Sequence, residues 1–430
     1  MKSVKIIGTG MGNSQHLTQK AREALENAQE ILTTDTLAVR LNLGDRKIVQ
    51  CSISDITDRL LKSSSSDIAV LVSGDVNFFS LSKTIKTRLE KLKSDASLDE
   101  DSRKSLENME LEFINGISSM QYFFAKLQKS YDDVKLTSAH GRNTNIVALA
   151  SYNKKVFSLT GGEQKAHTIC AKLTQAGLGQ AYVTIGENLG NPQERILSGK
   201  AQDFASMEIQ NLAVMLIENP EAVESYTMLK DADFERAKVP MTKEEVRWIS
   251  VNKLEIRPAD IVYDIGAGTG SVTMDMARKA NEATVYAVEQ KPEAIELIKK
   301  NIKRTGCYNV ELVQSKAPEG MKLWPAPDRV FIGGSSGNLK QILESVILKR
   351  EDKSSASKVS VDCTEQKLKI VINTITLETL VETYSCLEIL GFENVEYLSM
   401  TTAKSQKMGN YNLMMGANPV YVISADYISR

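Results

Sequence analysis

The sequence predicts an α/β protein in two parts, the second built on a seven-stranded, largely parallel sheet of Rossmann-like type. Three observations carry this. Short apolar runs alternate with helical stretches from the first residues onward, a polar and charged stretch from Glu218 to Lys238 interrupts them midway, and seven further strand-like runs follow. At 430 residues the chain also exceeds what one ordinary core organises.

Taken in order, the first half places strands at VKIIG, IAVLVSG, AYVTIG and LAVMLIEN, with helices at LTQKAREALENAQ and AHTICAKLTQAG. In the second helix Ile169, Leu173 and Ala176 fall on one face and Gly177 stops it. Pro220 opens the charged stretch, so the domain boundary is expected there, with residues 1–219 as one domain, 220–239 as a linker and 240–430 as the other. The strand-like runs after it are IVYDIG, TVYAVE, VELVQ, RVFIGG, KIVINTI, NVEYLSM and PVYVISADY. Helical segments separate most of the first five. One is PEAIELIKKNI, with Ile295, Ile298 and Ile302 on one face, Pro292 in its first turn and Gly306 at its end. The last two strands lack a helix between them and are expected to pair antiparallel at the sheet edge. Two polar segments, 93–108 and 349–366, are expected to be surface loops.

Composition excludes several classes. Hydrophobic content of 42% and charged content of 25% describe a globular protein rather than a disordered one. The 53 basic and 54 acidic side chains leave a net charge of -1, so no overall basic field attracts nucleic acid. Cys51, Cys170, Cys307, Cys363 and Cys386 are scattered without ligand spacing and odd in number; no metal site is expected, and buried thiols in a reducing cytoplasm are. The first residues lack a signal-peptide pattern and no apolar run approaches bilayer length, so no membrane partner is expected.

The most informative stretch is IVYDIGAGTGS, followed by an acid closing the next apolar run, TVYAVEQ. Gly266, Gly268 and Gly270 let the backbone approach a ligand, with Asp264 before them and Thr269 among them, and Glu289 lies where a carboxylate accepts hydrogen bonds from ribose hydroxyls. The GxGxG spacing differs from the GxGxxG of a dinucleotide fold and points to S-adenosylmethionine. In the first half Gly8, Gly10 and Gly12 also follow a strand and precede a helix, a pattern that a plain turn explains equally well.

The segments VLVSGDVNFFS, FINGISSMQYFFAKL, SAHGR, TGGEQKAHTICAKL and YVTIGENLGNPQERILSG, taken together from Val4 to about Asn219, resemble the tetrapyrrole methylase family in its carbon-5 methyltransferase branch. MTKEEVRWISVNKL, the glycine loop, APDRVFIGGSSGNL, VINTITLETL and ANPVYVISA, over about Pro240 to Ala425, resemble the decarboxylating carbon-15 methyltransferases of the same pathway. The whole chain is similar to the family of fused decarboxylating C5,15-methyltransferases of cobalamin synthesis. The resemblance implies a tetrapyrrole methylase fold of two α/β subdomains followed by a class I methyltransferase domain, one S-adenosylmethionine per domain, and a corrinoid tetrapyrrole as substrate. The expected reaction is methylation of precorrin-6B, or its cobalt form, at carbons 5 and 15 with decarboxylation of the ring C acetate, giving precorrin-8. By the same resemblance Gly74, Asp75 and Phe79 form the first cofactor loop, Ile117, Ser118 and Ser119 the adjoining loop, Gly8, Gly10 and Gly12 the substrate side, and Met241 and Thr242 a loop over the second site. A homo-oligomer is implied as well.

The substrate's carboxylates call for cations at the cleft mouths, and Arg142, Lys243 and Arg247 are the candidates. His140 is weighed as a proton carrier against a structural role. Phe78, Phe79, Tyr122, Phe123 and Phe124 are read mostly as core, with one or two left to face a flat ring. Two other readings compete: an RNA or protein methyltransferase with an accessory N-terminal domain, and a non-catalytic assembly protein. A basic stripe with interleaved aromatics would favour the former.

Overall fold

The computed structural model describes residues 1–41, 43, 48–52, 55–209, 212–356 and 367–429. The first sheet is parallel and comprises β1 (Lys2–Gly8), β2 (Glu30–Thr33), β3 (Ile48–Gln50), β4 (Asp67–Val72) and β5 (Met109–Ile114) in the order β3-β2-β4-β1-β5. Its central strands are apolar runs because helices cover both faces: Val4, Ile6, Ile68 and Val70 pack on one side, Ile7, Ala69 and Leu71 on the other. A second, mixed sheet holds β6 (Lys135–Ser138), β7 (Lys155–Leu159), β8 (Tyr182–Glu187), β9 (Arg195–Lys200) and β10 (Ala213–Glu218) in the order β6-β7-β10-β8-β9. The helix Ala166–Ala176 buries Ile169 and Leu173 and ends at Gly177, whose φ of 105° is the left-handed conformation its position requires.

The third sheet contains β11 (Val262–Ile265), β12 (Val285–Glu289), β13 (Val310–Gln314), β14 (Arg329–Ile332), β15 (Lys367–Thr374) and β16 (Glu393–Met400). After β17 (Ala403–Met408) and β18 (Tyr411–Gly416) the chain closes it with β19 (Val420–Ile428), giving the order β13-β12-β11-β14-β15-β19-β16. β19 runs antiparallel to both β15 and β16, which bears out the expected antiparallel pairing. Between them β17 and β18 form a separate ribbon that the sequence reading missed. Every residue of the ribbon is exposed, so the buried alternation that marks a strand is absent there.

Three expectations are corrected. Segment 93–108 is not simply a loop: Glu100–Glu107 is a helix, capped by Asp99, which accepts the Ser102 N–H at 2.9 Å, and anchored by buried Leu106. In 349–366, residues to Ala356 continue the helix Leu339–Ala356, while 357–366, with Cys363, lie outside the described residues. The stretch 220–239 is no free linker, because Leu229 and Phe234 are buried in the core under the third sheet, and Arg278 donates to Thr227 O at 3.0 Å. Of the four described cysteines, Cys170, Cys307 and Cys386 are buried and Cys51 is half-buried.

Candidate active sites

In the first sheet the adjacent strands β4, β1 and β5 each run out at a glycine. A Cβ on Gly8 would lie 2.7 Å from both Gly116 N and Gly74 O, and one on Gly116 only 2.5 Å from Gly8 O. These backbones touch because none carries a side chain. Gly8, expected on the substrate side, is therefore internal packing. Gly10 and Gly74 exchange backbone hydrogen bonds of 3.1 and 2.8 Å, each with positive φ.

Beyond them opens a cavity of about 240 Å³ between the first and second sheets. It brings together Gly10, Gly12, Gly74, Asp75, Phe79, Ser118 and Ser119, all named from the sequence, with His140 and Phe78. Asp75 accepts the N–H of Asn77 at 2.8 Å and of Gly116 at 3.2 Å, tying the loop after β4 to that after β5. Ser118 caps the helix Ser119–Leu127 and shares a capping box with Gln121. Phe79 sits at φ 46°, strained for an aromatic residue, and the residue is 38% exposed. The Arg142 guanidinium lies 5.3 Å from that ring. Arg142 itself and Ile117 do not wall the cavity. Phe123 and Phe124 are core, as expected. Met11, Arg40, Asn188 and Asn191 also wall the cavity and were missed; the GENLGN turn after β8 was the available signal for the last two. Asp75→Ala should lower methylation at the first site by about tenfold or more, the worth of a charge-assisted hydrogen bond, while the second site continues. Mass spectrometry of the products checks it, and undiminished first-site methylation would remove Asp75 from the site.

The second cavity, about 260 Å³, lies at the carboxyl end of the third sheet, where the strand order reverses between β11 and β14. Its walls include Gly266, Gly268, Glu289, Val239 and Pro240. The Glu289 carboxylate accepts the N–H of Gly268 at 2.9 Å, Gln290 at 2.8 Å and Lys291 at 3.0 Å, so it fixes the glycine loop while remaining at the cavity wall. Gly266 has φ 75° and approaches Gly334 so closely that a Cβ would stand 2.6 Å from its carbonyl oxygen. Gly333, Gly334, Ser335 and Ser336 complete the wall, with Ser315 and Lys316. These were missed as site residues, although the glycine pair ending RVFIGG signals such a turn.

Seven expected residues of this site are placed elsewhere. Asp264 is fully buried beneath the loop and accepts the Thr273 hydroxyl. Thr269 is buried and its carbonyl accepts Asn301 Nδ2 at 2.9 Å, and Gly270 makes room for Ile298. Arg247 is wholly buried: its guanidinium meets Asp275 at 2.6 Å and Asp231 at 3.1 Å, and donates to Leu229 O and Thr242 O at 2.6 and 2.9 Å. It locks the 229–242 segment to the domain, with four of its five N–H donors engaged and the group sealed from solvent. Met241 packs against the core and Thr242 gives its carbonyl to Arg247; neither is among the residues that wall the cavities described. Lys243 is exposed at the start of the helix Glu244–Lys253. Trp324 is core and Trp248 donates to Leu229 O at 2.9 Å.

Burial raises the Asp264 carboxyl from an ordinary 3.8 to about 7, with the Thr273 hydrogen bond opposing and the Glu289 charge adding. The folded chain thus holds a proton that the unfolded chain releases. The resulting stability is full below pH 3.8 and is lost as pH rises towards 7. Asp264→Asn should flatten this decline, which approaches about 1.4 kcal/mol per pH unit. Urea denaturation at several pH values measures it; an unchanged slope would show that Asp264 is ionised in the fold.

Among the described residues no group of three or more His, Cys, Asp or Glu is placed to hold a metal ion, and no helix is long and apolar enough to cross a membrane. Comparison with known proteins adds the family. Residues 3–205 match the model of the Tetrapyrrole (Corrin/Porphyrin) Methylases, and residues 233–426 that of the Precorrin methyltransferase domain. A "Probable cobalt-precorrin-6B C(15)-methyltransferase (decarboxylating)" of Pyrobaculum calidifontis is 36% identical over 200 residues, 46% of this chain and 94% of the relative. One of the same name from Saccharolobus solfataricus is 34% identical over 202 residues, again 46% of this chain and 94% of the relative. The solved precorrin-6y C5,15-methyltransferase of Geobacter metallireducens is 34% identical, with 46% of this chain and 96% of that chain covered and a TM-score of 0.40. The chain therefore belongs to the decarboxylating precorrin C-methyltransferases of the cobalamin pathway, as a fusion of a tetrapyrrole methylase domain with a precorrin methyltransferase domain.

Proposed function

We propose that the chain methylates precorrin-6B, or its cobalt form, at carbons 5 and 15 and removes the ring C acetate carboxyl as carbon dioxide, giving precorrin-8. The reading assigns carbon 5 to residues 1–219 and carbon 15 with the decarboxylation to residues 240–430, with one S-adenosylmethionine in each. The observation that carries it is the presence of two separate cavities, both walled by positive-φ glycines beyond the ends of strands. In the second, Glu289 lies beside a bared glycine backbone, an arrangement that fits a ribose against a main chain without side chains.

S-adenosylmethionine supplies an already electrophilic methyl group on a sulfonium. The protein's part is to hold a nucleophilic ring carbon in line with that methyl and away from water. The new bond forms from ring carbon to methyl, the carbon–sulfur pair stays on sulfur, and the ring carbon's proton leaves to solvent. In decarboxylation the electrons of the broken carbon–carbon bond are delocalised into the conjugated ring as carbon dioxide leaves, and the methylene left behind takes up a proton from solvent to become a methyl group. A homo-oligomer in the cytoplasm remains part of this reading. Exposed Tyr411, Leu413 and Met414 on the ribbon are apolar surface of the kind that copies bury against each other.

The test is mass spectrometry of the full chain incubated with S-adenosylmethionine and precorrin-6B, metal-free and cobalt-loaded. Gain of two methyl groups with loss of one carbon dioxide is expected. No change in either form, with S-adenosylmethionine still bound, would mean another methyl acceptor.

A further inference from the structure

The largest cavity described, about 790 Å³, is absorbed by neither cofactor site. It lies between the segment Lys230–Glu244 and the base of the ribbon, where Thr402, Lys404, Met415 and Ala417 form the opposite wall. That places it at the end of the third sheet where β16 finishes and β19 begins. The segment that walls it continues through Val239 and Pro240, which wall the glycine-loop cavity. One stretch of chain thus borders both spaces.

The lining charges are four cations, Lys230, Arg236, Lys243 and Lys404, against two carboxylates, Asp231 and Glu244. Both carboxylates are engaged. Asp231 meets Arg247 at 3.1 Å and Arg236 at 3.4 Å, while Glu244 accepts the Asp231 N–H at 2.8 Å and meets Lys404 at 3.1 Å. Lys230 and Lys243 are exposed and make no ion pair among the described residues, so their charge is free for an anion. Phe234 is a buried apolar floor, held by the Arg247 guanidinium 4.9 Å from its ring, and Met415 adds apolar surface opposite. An apolar floor with a rim of cations matches a flat ring whose edge bears carboxylates.

We infer that this cavity binds the polycarboxylate macrocycle for the carbon-15 step, with Lys230 and Lys243 as its principal carboxylate contacts and Phe234 and Met415 against the ring. The inference rests on the proposed function and adds the location and residues of its second substrate site. Because the contacts are charge pairs near the surface, affinity falls as salt rises. Chemistry at the methyl is untouched by them, so their loss appears in KM and not in kcat.

The test uses the full chain with cobalt-precorrin-6B and S-adenosylmethionine, with carbon dioxide release and carbon-5 methylation measured separately. Lys230→Ala/Lys243→Ala should raise KM for carbon dioxide release by about tenfold. Its kcat should stay within about twofold, carbon-5 methylation should be unaffected, and Lys230→Arg/Lys243→Arg should restore KM. An unchanged KM in the alanine variant, with the wild type active, overturns the cavity assignment and leaves the function standing. A fall in kcat accompanied by loss of S-adenosylhomocysteine binding at the second site also overturns it, since that is the signature of a structural role. A wild type that neither methylates nor releases carbon dioxide overturns both the function and this inference.

Discussion

Gly268→Val should abolish carbon-15 methylation and decarboxylation while carbon-5 methylation continues, so the product gains one methyl and keeps its carboxyl. Two effects combine. Gly268 has φ 56°, a conformation that costs an L residue roughly 1–2 kcal/mol and a β-branched one more. A Cβ there meets only Pro240 O at 3.5 Å and Val239 Cγ1 at 4.0 Å, so the position is open towards the cavity and the valine methyls would occupy space meant for the ligand. Moving the backbone to relieve either effect would break the 2.9 Å hydrogen bond from Gly268 N–H to Glu289. The expected loss of cofactor affinity is about 100-fold or more, equivalent to about 2.7 kcal/mol. Calorimetric titration with S-adenosylhomocysteine should show the binding stoichiometry fall from two per chain to one. Two intact sites in the variant would refute the placement. Gly266→Ala makes a poorer test, because its clash with the Gly334 backbone disturbs the fold itself.

Arg247→Met should destabilise the C-terminal domain by about 3–5 kcal/mol without altering how substrate is recognised. The guanidinium is fully buried, and its removal leaves the Asp275 carboxylate, also 0% exposed, without its ion-pair partner. It also removes the donor to Thr242 O and leaves Leu229 O to Trp248 alone. The midpoint of that domain's thermal transition should fall by roughly 10 °C. Arg247→Lys should rescue little, since one ammonium cannot reproduce a fork that serves two carboxylates and two carbonyls. Arg247→Met with Asp275→Leu should recover much of the loss, because the stranded charge is then gone. Well below the transition, KM for the corrin should match the wild type. A large rise in KM with unchanged stability would return Arg247 to the substrate site.

Along the chain, the legible features were those whose physical cause is local. The glycines of IVYDIGAGTGS and the acid of TVYAVEQ lie within single β-turn-α units, where backbone approach and strand ends are set by neighbours in sequence. The antiparallel pair β16 and β19 was legible because both runs are long with no helix between them. What depended on packing was not legible. Arg247 and Lys243 are four residues apart on one polar stretch, yet one is sealed among Asp231, Asp275 and Phe234 and the other stands at the rim of a cavity.

The same division explains the two glycine sets. Composition, period and motif spacing were enough to establish an α/β chain with one S-adenosylmethionine-type glycine turn, in its second half, and to carry its resemblance to one biosynthetic family. Folding alone brought Gly8, Gly74 and Gly116 into contact, because they come from strands that are adjacent in the sheet but distant in the chain. It also joined Lys230 to Lys404 around one cavity, across more than a hundred residues. A sequence specifies such meetings through the sum of many weak burial terms, and no short window of residues contains that sum.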